Sequence, residues 1–187
     1  MAGHICPVWV GYLLLNPLRK LLENPDRMLG GFVSEGMTVL EPGCGMGYFT
    51  LPLARMVGSG GRVVSVDIQE KMMSKLRKRA QKAGLSERID IRLAGSDTLG
   101  VDDMEETVDF VPAIHVVHEI PDRTAFFTEI INVLKPGGKL LVIEPKGHVS
   151  KEAFEQTVAQ AKAVGFHPEA LPGKQRGRRS LLVKSSL

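Results

Sequence analysis

Three glycines separated by single residues, Gly43, Gly45 and Gly47, join an apolar run to a helix-forming one. That junction limits the possible folds more than any other part of the chain. Val39-Leu40 leads into Glu41-Pro42, and beyond the glycines Phe49 to Met56 spaces its apolar residues as a helix does. A strand, a glycine turn and a helix in this order bring bare backbone to the carboxyl end of a strand, since glycine alone lets a large group approach so nearly. The chain repeats the alternation. Apolar runs predict strands at 38–41, 62–66, 89–93, 108–114, 139–144 and 180–184, and helical periodicity predicts helices at 50–57, 69–83, 123–134 and 151–164. Leu140 to Ile143 lacks polar alternation, as a strand buried on both faces of a parallel sheet should. Segments 166–171 and 180–184 fit an antiparallel hairpin. The predicted fold is α/β: a doubly wound, mostly parallel seven-stranded sheet with helices on both faces and an antiparallel C-terminal edge hairpin. Ligands of such sheets sit at the carboxyl ends of the strands.

At 187 residues the chain fits one domain able to bury a full core. Residues 1–33 read as a helical cover, because Asn16-Pro17 and Asn24-Pro25 each set a capping side chain before a proline suited to a first helical turn. Residues 34–187 form the core. Gly84, Lys135-Pro136-Gly137-Gly138 and Gly165 supply helix stops. A net charge of +3 does not call for a polyanion partner. Two cysteines, Cys6 and Cys44, make no disulfide framework and fit a reducing compartment. The apolar stretch 5–15 has no basic segment before it and runs into Asn16-Pro17, so it suits neither a signal nor a membrane span. The expectation is a cytoplasmic protein without a membrane partner.

The spacing Glu41-x-Gly43-x-Gly45-x-Gly47 suits an adenosine-containing cofactor but departs from the G-x-G-x-x-G of dinucleotide sites. An acid ahead of the turn would repel a pyrophosphate, whereas it complements a cofactor with a cationic amino-acid end, which favours S-adenosylmethionine. At this point the chain resembles the class I S-adenosylmethionine-dependent methyltransferases over nearly its whole length, and the likeness implies their Rossmann-like core. Glu41 to Gly47 resembles the family's first motif, with Gly43, Cys44, Gly45, Met46 and Gly47 lining the cofactor. Val63 to Asp67 resembles its second strand, whose terminal acid binds the ribose hydroxyls; Ile68 would pack on the adenine. Ala94-Gly95-Ser96-Asp97 resembles the third-strand segment, where Asp97 meets the adenine amino group beside Ser96. Val108 to Ile114 and Val117 to Asp122 resemble the fourth strand, bringing Ala113 to the cofactor, and Leu134 to Leu140 resembles the turn and fifth strand of small-molecule methyltransferases.

Methyl transfer from a sulfonium needs no acid for its leaving group, so these motifs specify the donor better than the acceptor. Candidate catalytic residues are His115 and His118, as base or acceptor-orienting groups, with capping of or packing against the next helix as the other reading of His118. Convergence of His115, His118 and Glu119 with His4 and Cys6 on zinc is disfavoured by their spacing, and no metal is expected. Cys6 reads as a small buried hydrophobe. Lys146 or His148 would meet an acidic substrate or belong to a solvated loop. Trp9, Tyr12 and residues 13–15 would wall an acceptor pocket or pack the first helix. Lys71, Lys75, Arg77, Lys78, Arg79 and Lys82 read as a solvated helix face. Lys174, Arg176, Arg178 and Arg179 form a denser patch without aromatics for base stacking. Pro112, within the fourth strand, predicts a bulge or an early strand end. The leading expectation is a methyltransferase acting on a small molecule. An RNA methyltransferase using the basic loop, or a non-catalytic module that only holds the cofactor, are the alternatives.

Overall fold

The computed structural model describes residues 23–172 and 177–186. The features read at His4, Cys6, Trp9, Tyr12, residues 13–15, Asn16-Pro17, Lys174 and Arg176 lie outside them. Seven strands form one sheet in the order β3-β2-β1-β4-β5-β7-β6, with helices around it. The chain divides into two units at Ala94/Gly95.

The first unit runs α1 (Pro25–Leu29), β1 (Thr38–Pro42), α2 (Thr50–Met56), β2 (Arg62–Asp67), α3 (Glu70–Lys82) and β3 (Ile89–Leu93). Asn24 caps α1 as its spacing foretells, its Oδ1 accepting from the Asp26 and Arg27 amides at 2.9 and 3.3 Å. Strands β1 and β2 pair in parallel, Leu40 beside Val64, and β2 pairs in parallel with β3, Val64 beside Asp90. Val39, Leu40, Val63 and Val64 are wholly buried, as expected of strands covered on both faces. Helix α3 buries Met72, Met73, Leu76 and Ala80 along one stripe and exposes Lys71, Lys75, Lys78 and Lys82 on another. Each buried Leu or Met stabilises by about 1.5–3 kcal/mol, so Leu76→Ala would cost about 2–5 kcal/mol once the cavity is counted. The helix stops at Gly84, whose φ of +67° lets the Leu85 amide turn back and donate to the Ala80 carbonyl at 3.0 Å.

The second unit runs β4 (Val108–Ile114), α4 (Arg123–Val133), β5 (Leu134–Glu144), α5 (Lys151–Val164), β6 (Phe166–Glu169) and β7 (Arg178–Lys184). Asp122 and Ser150 cap the two helices through the Ala125 and Ala153 amides. Two local expectations change. Lys135 to Gly138 ends α4 but stays within β5 as an excursion: the pairing steps from Val108–Leu134 straight to Phe110–Lys139. Lys135 Nζ donates to Asp109 Oδ1 at 2.6 Å across it. Pro112 causes neither a bulge nor an early end, since it pairs in register with Leu141 and β4 continues to Ile114. The His115 amide donates to the Ile143 carbonyl at 2.7 Å, and amides alternate along a strand, so the donor that proline lacks is not one that the pairing with β5 uses, and that register is undisturbed. The antiparallel segment forms as predicted, with β7 lying between β5 and β6 and β6 at the edge.

Candidate active site

The glycine turn is built on positive φ angles of 69°, 53° and 81° at Gly43, Gly45 and Gly47, which L side chains adopt only with strain. Backbone bonds hold it: the Gly43 and Cys44 amides donate to the Val66 carbonyl at 2.8 and 3.1 Å, and the Gly47 amide to the Cys44 carbonyl at 2.9 Å. The glycines are needed for different reasons. A Cβ at Gly47 would collide with Leu76 Cδ1, so that position is closed by the protein's own core. A Cβ at Gly45 would meet nothing within 4 Å. Cys44 and Met46 are buried, and burial pushes the Cys44 thiol well up, leaving it inert.

Two acids frame the turn. Asp67, at the end of β2, accepts from the Gly45 amide on Oδ2 at 2.8 Å and from the Gln69 amide on Oδ1 at 2.9 Å. It therefore ties the glycine turn to the start of α3. Burial raises its pKa, opposed by those amide bonds. Glu41 is 4% exposed, and its Oε2 accepts from Thr50 Oγ1 at 2.5 Å and Ser65 Oγ at 3.1 Å. Burial, only partly offset by the two hydroxyls, pushes its pKa from 4.5 up to about 8. Sequence reasoning missed Thr50 and Ser65. The signal for Ser65 was a lone hydroxyl inside the apolar Val63 to Val66 run; Thr50 has none, because its role depends on how the turn closes. Arg79 is another miss, since its guanidinium is half-buried and donates to the Met46 carbonyl instead of facing solvent. Arg77, by contrast, is exposed and pairs with Glu70 at 2.7 Å.

Ile68 is 48% exposed, an apolar side chain left open next to Asp67, and Leu93 at the end of β3 is 56% exposed. In the second unit Ser96 and Asp97 are exposed and bonded to each other, the Ser96 hydroxyl donating at 2.9 Å. Ala113 is wholly buried.

His118 and His115 differ in their settings. His115 holds a left-handed backbone, φ 57°, where β4 ends. Strain of this kind gathers at functional sites. His118 lies on the 3-10 turn Val117–Glu119 and bonds with Glu144, the last residue of β5. Its Nδ1 is 2.6 Å from Glu144 Oε2, and its own amide donates to Oε1 at 2.9 Å. The His118 pKa is raised, chiefly by the side-chain bond to Glu144, with burial opposing. Glu144 was given no role from the sequence, although it closes a strand with an acid just as Asp67 does. His148 lies beside the pair, its ring centroid 6.1 Å from that of His118, while Lys146 is exposed. Among the described residues no three His, Cys, Asp or Glu side chains are grouped to hold a metal ion, and no helix is long and apolar enough to cross a membrane.

The donor set can be tested against S-adenosylmethionine. A carboxylate offers about four acceptor positions, and Asp67 commits some of them to backbone amides and keeps acceptor capacity for a ribose hydroxyl. The open space at Gly45, the exposed apolar Ile68 and the acid at Glu41 suit the rest of such a cofactor. The residues fit. Sheet order and site together define a Rossmann-like S-adenosylmethionine-dependent methyltransferase fold. Residues 33–181 match the model of a family described as a methyltransferase domain, and the chain belongs to that family.

The chain is 32% identical over 135 residues to the ubiquinone/menaquinone biosynthesis C-methyltransferase UbiE of an Enterobacter species, a match covering 72% of this chain and 51% of the relative. It thus spans about half the length of the curated relatives it matches. The crystal structure of a SAM-dependent methyltransferase from Aquifex aeolicus superposes with a TM-score of 0.82 at 25% identity, covering 96% of this chain and 97% of that one. A SAM-dependent O-methyltransferase from Thermotoga maritima shares the fold, with a TM-score of 0.66 at 21% identity and coverage of 92% and 71%.

Proposed function

We propose that this chain acts as a single cytoplasmic methyltransferase domain, passing a methyl group from S-adenosylmethionine to a small-molecule acceptor by in-line displacement. The observation that carries the reading is the 2.8 Å bond from the Gly45 amide to Asp67, which joins the glycine turn to a carboxylate with acceptor capacity to spare. S-adenosylmethionine supplies a methyl group on a sulfonium whose departure needs no proton. Asp67 accepts from the ribose hydroxyls, Ile68 covers one adenine face, and Asp97 with Ser96 recognises the adenine edge. Glu41 complements the cationic amino-acid end, and the backbone of Gly43, Cys44, Gly45, Met46, Gly47 and Ala113 lines the cofactor. His118 takes a proton from the acceptor, and His115 orients it. Holding the acceptor in line can contribute up to about 7–11 kcal/mol of the barrier reduction. The UbiE relatives are C-methyltransferases of ubiquinone and menaquinone biosynthesis, so quinone-type rings head the acceptor panel. Calorimetry with S-adenosylmethionine and S-adenosylhomocysteine tests the donor, and binding of neither overturns the reading. Formation of S-adenosylhomocysteine across the panel then separates an enzyme from a cofactor-holding module.

A further inference from the structure

We propose that Glu144 is a positioning residue that holds His118 in one tautomer, with the proton on Nδ1 and the lone pair on Nε2. This rests on the reading of His118 as the proton acceptor. Glu144 grips one residue at two points: Oε2 lies 2.6 Å from the ring Nδ1, and Oε1 accepts the same residue's backbone amide at 2.9 Å. The carboxylate side chain is 1% exposed while His118 is 23% exposed, so the anion is enclosed and the ring keeps access to solvent. Ring rotation would break the 2.6 Å bond and leave a buried carboxylate oxygen without its partner, a costly state. The turn itself is held as well. Arg123 Nε donates to the Val117 carbonyl at 3.2 Å, the Glu119 amide donates to the Val116 carbonyl at 2.9 Å, and Val117 is wholly buried.

An ionised Glu144 can only accept, so the shared proton belongs to Nδ1 and the free lone pair to Nε2. Four charged or titratable groups surround the ring. Glu144 and Glu119, whose Oε1 is 4.0 Å from Nε2, favour imidazolium; Arg123 opposes it; His148 packs against the ring edge. The proton transfer then balances simply. The acceptor's X–H bond breaks, its electron pair stays on X, and the proton goes to Nε2, giving an imidazolium paired with Glu144. Such a base serves an acceptor that arrives protonated, a hydroxyl or an activated C–H, and does nothing for a thiolate or a free amine.

Long-range 1H–15N correlation on histidine-labelled protein reads the tautomer and pKa of each ring, with His118→Gln assigning the His118 signals. In the unsubstituted protein neutral His118 is expected as the Nδ1–H tautomer, titrating above the ordinary histidine value. Glu144→Gln should return the ring to the Nε2–H form and lower its pKa. A role in folding alone would shift the unfolding temperature and leave both signatures unchanged. An Nε2–H tautomer in the unsubstituted protein overturns the proposal, as does a Glu144→Gln protein whose His118 pKa and tautomer are unaltered. The first measurement stands even if the variant does not fold. Neither cofactor nor acceptor is needed, so failed cofactor binding would overturn the methyltransferase reading and leave the tautomer result intact.

Discussion

Replacing Glu41 by Gln should make the free protein more stable, by an amount that grows with pH. Glu41 is buried, and its pKa stands at about 8 against 4.5 for an ordinary glutamate, mainly because burial penalises the anion. Below pH 4.5 the side chain is protonated both folded and unfolded and contributes no pH dependence. Between 4.5 and 8 the unfolded chain releases the proton while the folded chain keeps it, so stability falls by about 1.4 kcal/mol per pH unit. Above 8 both forms are ionised and the loss levels off. The full loss is about 5 kcal/mol, of which about 3 kcal/mol has accrued by pH 7. Glutamine keeps the shape and offers its oxygen to the Thr50 and Ser65 hydroxyls, but does not titrate. Whatever the constant offset of the amide, the stability gap between variant and parent should widen by about 3 kcal/mol from pH 4.5 to pH 7. For a chain of this size that is about 6–12 °C in Tm. Urea unfolding of both proteins across that range measures the gap, and other titrating groups cancel in the difference. A gap that stays constant, or that narrows with rising pH, refutes the argument. On the role proposed for Glu41, the same variant should also bind S-adenosylmethionine more weakly, since glutamine cannot release a proton to pair with the cofactor's cationic end.

Asp67→Asn should weaken S-adenosylmethionine binding, read by calorimetry, because a bond to a charged acceptor is worth about 1.5–3 kcal/mol. Asparagine has one acceptor oxygen for the two amides that Asp67 holds on Oδ1 and Oδ2, so the free variant should also lose about 1–3 kcal/mol of stability, read by thermal unfolding. Gly47→Ala should destabilise the fold by about 1–3 kcal/mol through its collision with Leu76, whereas Gly45→Ala, with open space around the new methyl, should cost mainly the positive-φ strain of about 1 kcal/mol and act chiefly on cofactor affinity. Thermal unfolding and calorimetry on the pair distinguish the two positions. His118→Ala should lower turnover with cofactor affinity nearly intact; unchanged turnover would remove His118 from the chemistry.

Much of the architecture was legible because its causes are local. The cap at Asn24, the stops at Gly84 and Gly165, and the helix at 151–164 rest on residues within a turn or two of each other. The run at Lys135 to Gly138 misled as to strand length because a proline and two glycines look alike in a loop and in an excursion from a strand. Pro112 misled as to continuity because which amides the pairing with β5 uses depends on strand register.

Sequence alone determined the alternation of strands and helices, the glycine turn and the acids at Glu41 and Asp67. Hydrophobic period, capping and positive φ are properties of short stretches, and the strand ends follow from them. Tertiary structure decided what those acids do. Glu41 is enclosed by the hydroxyls of Thr50 and Ser65, nine and twenty-four residues away, and Asp67 reaches back to Gly45. It also decided the pairing of His118 with Glu144 across twenty-six residues, and the place of β7 between β5 and β6. Such contacts depend on strand register and on which groups burial strips of water, and both exist only once the chain has closed on itself.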